Sequence, residues 1–109
     1  MSDPVNTLWQ SDSTRQLVAT FTRIDDEKTM QDFLRDVMTE KEIMEIAARL
    51  EAARMLRAGE TYTKIIQQTK LSSRTIARIS EWLQNGQGGY AAALDQPTAH
   101  HDHIPPARA

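Results

Sequence analysis

Cysteine is absent from the 109 residues, which excludes disulfides and thiolate metal sites and leaves the redox compartment open. Aromatic residues make up only 6% of the chain, and sustained apolar/polar alternation is nearly missing, so strand signals are weak throughout. No apolar run approaches membrane-spanning length, and the opening "MSDPVNTLW" lacks a basic region followed by an apolar stretch. The cytoplasm is therefore the expected compartment, with no membrane partner. Catalytic signatures are also lacking: there is no nucleophile motif, no glycine-rich phosphate loop after a strand, and no distant histidine placed to act as a base. An enzyme is not expected.

An excess of positive charge is lacking too, since the formal net charge is −2. That value conceals an asymmetry. Residues 1–40 carry 4 Lys/Arg against 8 Asp/Glu, residues 41–78 carry 8 against 4, and residues 79–109 carry 1 against 3. Positive charge gathers in the middle segment, as it does when one face meets an anion and the rest stays acidic. Helices with differently charged solvent faces would give the same distribution.

What the chain does have is helical periodicity. Residues 1–10 read as a polar arm carrying Leu8 and Trp9, the latter a candidate packing anchor. Leu17, Val18, Phe21 and Ile24 then recur at helical spacing over about 11–24. "DDE" at 25–27 ends that helix and starts a second, with Met30, Phe33, Leu34 and Val37 on one stripe. "TEKE" at Thr39–Glu42 has the capping-box form. A third helix follows to about Ala58, with Ile43, Ile46, Ala47, Leu50, Ala53 and Leu56 as its expected core face and Gly59 as its stop. The remaining caps are Thr61 for a fourth helix (about 62–69) and Ser72 for a fifth (about 73–84). "NGQGG" breaks the chain before one further short helix, and 96–109 reads as a disordered tail. The contiguous His100, His101, Asp102 and His103 in that tail have no partner ligands upstream, so no metal site is expected. The expected fold is all-α, with a helical domain over 11–95 whose thin core favours homodimerisation through the first three helices.

The stretch "YTKIIQQTKLSSRTIARI" places two short helices around a three-residue turn. On a wheel at 100° per residue, Ile76, Ile79 and Leu83 fall within about 60° of one another, while Arg74, Ala77, Arg78 and Glu81 face away. In the preceding helix Ile65 and Ile66 are the expected core residues. This pattern fits a helix-turn-helix at about 62–84. Lys64, Gln67, Ser72 and Ser73 suit phosphate contacts. Arg74 suits the O6 and N7 of guanine, the Thr75 methyl a thymine, and Ala77 close entry into the groove, with Arg78 beside them. A glycine is usual where Lys70 stands; if Lys70 adopts φ > 0 the strain is on the order of 1 kcal/mol. A helical hairpin with a solvated basic face, acting as a protein–protein interaction module, is the alternative.

From about Thr39 to Asp95 the chain resembles the Trp repressor family, most closely its YerC/YecD-type members. The resemblance rests on "MTEKEIMEIAARLEAARMLRAGETY", "TIARI" and "WLQNGQGGYAAALD", and on the arrangement of Thr39, Arg49, Gly59–Glu60, Thr75–Ile76 and Arg78. It implies an intertwined homodimer that sets two reading heads into successive major grooves of a pseudo-palindromic operator in double-stranded DNA. Its tryptophan-responsive members hold the indole of L-tryptophan between two arginines, which match Arg49 and Arg78, beside a threonine that matches Thr39. Ile79 and Trp82 replace the glycine and serine of those members and stand against a tryptophan cofactor. A different effector, or none, is the expectation.

Overall fold

The expected caps Thr39, Thr61 and Ser72 all form, and Ser11 and Asp26 add two that the sequence analysis did not name. In the computed structural model, which describes residues 7–95, α1 (Asp12–Arg23) begins where Ser11 accepts the Thr14 backbone N–H at 3.1 Å. α2 (Glu27–Val37) begins where Asp26 accepts that of Thr29 at 2.9 Å. This backbone hydrogen bond is the main reason the Asp26 carboxyl lies below the usual aspartate range. α3 (Glu40–Arg57) carries the reciprocal box: Glu42 N–H donates to Thr39 Oγ1 at 3.1 Å, and Thr39 N–H donates to Glu42 Oε1 at 2.8 Å. Such a cap typically contributes about 1 kcal/mol.

Gly59 ends α3 with φ +84°. The Gly59 N–H reaches the Leu56 carbonyl and the Glu60 N–H reaches the Met55 carbonyl, both at 3.0 Å. This pair of bonds is a Schellman closure, which needs a left-handed residue at that position. Thr61 and Ser72 then cap α4 (Tyr62–Thr69) and α5 (Ser73–Asn85), and α6 (Gly89–Leu94) follows.

The described residues divide into two compact units, with the division between Ile43 and Met44, so that α3 starts in the first and runs into the second. In the first, Phe21 and Phe33 meet edge to face at 5.4 Å. α1 and α2 contain no fully buried side chain, and Leu17, Val18 and Val37 stay 46–54% exposed. The second unit holds the described core: Ala52, Ala53, Met55, Ile65, Ile76 and Ile79 are buried, with Leu56, Leu71, Leu83, Tyr90 and Leu94 packed against them. Arg57 ties the end of α3 to Asp95, just past α6, at 2.7 Å.

Three sequence expectations change. Ile46 is 55% exposed and Ala47 is exposed, whereas Ala52 and Met55 are buried. Apolar residues lie all around α3, so the spacing alone does not say which face is covered. Ile66 is 36% exposed, because it lies 100° around α4 from the fully buried Ile65. Among the described residues no helix is long and apolar enough to cross a membrane, and no group of His, Asp or Glu is placed to hold a metal ion. His100, His101, Asp102 and His103, the first residues of the arm and the 96–109 tail lie outside the described residues.

Candidate nucleic-acid interface

Ile65 on α4 and Ile76 and Ile79 on α5 are each 0% exposed, and they anchor the two helices on the Ala52–Ala53–Met55 segment of α3. α4 and α5 also contact each other directly. Fixing one side of α5 in this way fixes which side is free. Arg74, Ala77, Arg78 and Glu81 are all exposed, as the wheel required, and Ser73 is exposed beside them.

The turn between the helices is Lys70–Leu71–Ser72. Lys70 takes φ 64° and ψ 13°, and its N–H donates to the Ile66 carbonyl at 2.9 Å. The Thr69 hydroxyl donates to the Ile65 carbonyl at 2.8 Å and accepts the Leu71 N–H at 3.3 Å. Leu71 packs on the core and Ser72 caps α5 by accepting the Thr75 N–H at 3.1 Å. The turn is therefore closed by hydrogen bonds at both ends and plugged by one apolar side chain.

From Tyr62 to Ser80 the chain carries Lys64, Lys70, Arg74 and Arg78 and no acid. All four are exposed. Among the described residues neither Arg74 nor Arg78 has an ion-pair partner, so their guanidinium groups keep all five donors for a ligand. Lys64 differs: its ammonium lies 3.3 Å from Glu60, one turn back, and an incoming phosphate has to compete with that carboxylate. Gln67 is exposed on α4, and Thr75 is half-buried with its hydroxyl 3.1 Å from Ser72 Oγ, which ties it to the helix start. Thus α4, the turn and α5 carry all eight residues expected to face DNA.

The three residues matched to an indole pocket have other surroundings. Thr39 belongs to the first unit, where its hydroxyl caps α3. Arg49 lines a cleft of about 420 Å³ with Ile46, Leu50, Gly89, Tyr90 and Ala93, and Arg78 is not among its lining residues. Burial pushes the Tyr90 hydroxyl above the ordinary tyrosine range, and the charge of Arg49 opposes that shift. Ile79 is a core residue, and Trp82, 40% exposed, does not line this cleft. The sequence reading did not single out Tyr90 or the Arg57–Asp95 pair; both depend on α6 folding back beside α3.

Two helices joined by a three-residue turn, with the second anchored on one side and basic on the other, define a helix-turn-helix protein. Comparison with known proteins specifies which kind. The Trp repressor protein family model matches residues 12–98, and the chain belongs to the Trp repressor family. It is 47% identical over 64 residues to the uncharacterized protein YerC of Bacillus subtilis, a match spanning 59% of this chain and 62% of that relative. A solved TrpR-like protein from Eubacterium eligens superposes with a TM-score of 0.77 at 33% identity, covering 83% of this chain and 92% of its own. A Trp repressor candidate from Staphylococcus aureus gives 0.78 at 29% identity, covering 86% and 93%.

Proposed function

We propose that this chain is a sequence-specific DNA-binding transcription regulator, a repressor acting as a homodimer on a pseudo-palindromic operator, and that tryptophan is not its effector. The observation that carries this reading is the exposed Arg74 and Arg78, without an ion-pair partner among the described residues, on a helix whose opposite side is held by Ile76 and Ile79. α5 spans 13 residues, which corresponds to about 20 Å of rise, and a helix fits a major groove about 12 Å wide. In this reading Arg74 addresses guanine by a bidentate pair, Thr75 and Ala77 sit against the base edges, and Arg78 reaches the base edges or the flanking backbone. Lys64, Gln67, Ser72 and Ser73 hold phosphates and set the register.

Dimer formation is supported by the apolar residues that α1 and α2 leave exposed, Leu17, Val18 and Val37 among them. Membership of the Trp repressor family points the same way. Independence from tryptophan is supported by Ile79, which fills core space where tryptophan-responsive relatives have glycine, and by the Arg49 cleft, whose lining does not include Arg78.

Selection of bound duplexes from a random pool at physiological salt tests the proposal, with the winners re-measured against scrambled duplexes with and without L-tryptophan. An enriched inverted repeat bound equally well with and without the amino acid is the expected result. Weak association that ignores base sequence would instead assign the basic face to an acidic protein partner.

A further inference from the structure

At two of its three left-handed backbone positions among the described residues the chain uses glycine: Gly59 at φ +84° and Gly88 at φ +88°. The third is Lys70, at φ 64°. Glycine takes this conformation freely, whereas a residue with a Cβ is strained in it. The backbone does not need a lysine there, because the Lys70 N–H to Ile66 carbonyl bond, the Thr69 hydroxyl bonds and the Ser72 cap would all form around a glycine. Nor does the rest of the fold use the side chain. Lys70 is exposed and, among the described residues, its ammonium pairs with no carboxylate. Lys28 and Lys64, by contrast, are each paired with an acid one turn away.

Backbone strain retained without a structural beneficiary is a mark of a functional position. Lys70 lies two residues before the Ser72 cap of α5, in the acid-free stretch that also holds Arg74 and Arg78. Its place is in the turn, off the exposed face of α5, so a partner reached from here is the sugar–phosphate backbone at the edge of the groove. A lysine ammonium suits that role: it is a compact charge without the planar fork that reads guanine. We infer that Lys70 is a DNA-phosphate contact, and that the turn keeps lysine in place of glycine because the ammonium adds affinity independent of base sequence. The inference rests on the DNA-binding reading above.

The test compares the full-length wild type with Lys70→Gly and Lys70→Arg, measuring thermal melting and affinity for a selected and a scrambled duplex across 50–200 mM salt. Lys70→Gly should melt a few degrees higher and yet bind both duplexes several-fold more weakly. Its salt slope should be smaller by about 1.8, the signature of one lost phosphate contact per protomer and so of two per dimer. Lys70→Arg should keep the wild-type slope. Wild-type affinity and slope in Lys70→Gly would overturn the contact while leaving operator binding intact. Loss confined to the selected duplex would make Lys70 a base reader and likewise overturn it, and a lower melting temperature in Lys70→Gly would overturn the strain argument. A wild type that binds no duplex would overturn the functional reading, and this assignment with it.

Discussion

Dilution should unfold this protein. Ordering a residue costs on the order of 1 kcal/mol in backbone entropy, which burial must offset. α1 and α2 bury no side chain completely, and Leu17 and Val18 remain 47% and 46% exposed. If a second copy covers these residues, folding and association are one step, and the melting temperature depends on protomer concentration. The size of that dependence can be worked out. Each tenfold dilution removes about 1.4 kcal/mol from the dimer. Two chains of 109 residues unfold with an entropy near 0.4 kcal/mol/K, at about 2 cal/mol/K per residue. The quotient is a fall of about 3–4 °C per decade, or about 7 °C between 100 μM and 1 μM. Circular dichroism melts at 222 nm over that range, in cells of matched absorbance, are sufficient. Superimposable transitions at all concentrations would refute the coupling, whatever else the protein binds.

Three substitutions probe other parts of the account. Arg74→Ala should cost about 1–3 kcal/mol of operator affinity and relax the preference at one base pair per half-site, read by competition with single-base variants. Lys64→Ala should weaken all duplexes alike and flatten the salt dependence in filter-binding titrations; because Glu60 already holds this ammonium, its effect should be smaller than that of Lys70→Gly. Gly86→Ala should destabilise the fold by about 1–3 kcal/mol in urea titrations, since an added Cβ would lie 2.6 Å from the Trp82 carbonyl oxygen, a backbone atom that cannot swing aside.

The parts of this structure that were legible in advance are those decided within a few residues. Thr39 with Glu42, Thr61 and Ser72 announce helix starts because a cap acts over three residues, and each makes the bond its position implies. Gly59 and the left-handed Lys70 were visible for the same reason. The exposed face of α5 could be drawn on a wheel because its apolar residues occupy a single stripe.

α3 defeated that procedure. Its apolar residues point in several directions, so Ile46 was placed in the core and Ala52 and Met55 were not, although the structure has them the other way round. Only the positions of α4 and α5 settle the choice. Contacts between distant segments were equally invisible: Arg57 and Asp95 are 38 residues apart, and the Arg49–Tyr90 cleft exists only once α6 lies beside α3. Glu60 and Lys64 stand at i,i+4 spacing, so that pair was open to notice from the sequence.

The central assertion is that the arginine-bearing side of α5 lies in the major groove at two symmetric positions. Guanine N7 faces that groove, so dimethyl sulfate protection on a selected duplex reports on it directly. The expected footprint is a pair of protected guanines, related by the operator's twofold axis and centred about 34 Å apart, that become reactive again with Arg74→Ala. Guanines that stay fully reactive while the wild type is bound would contradict it.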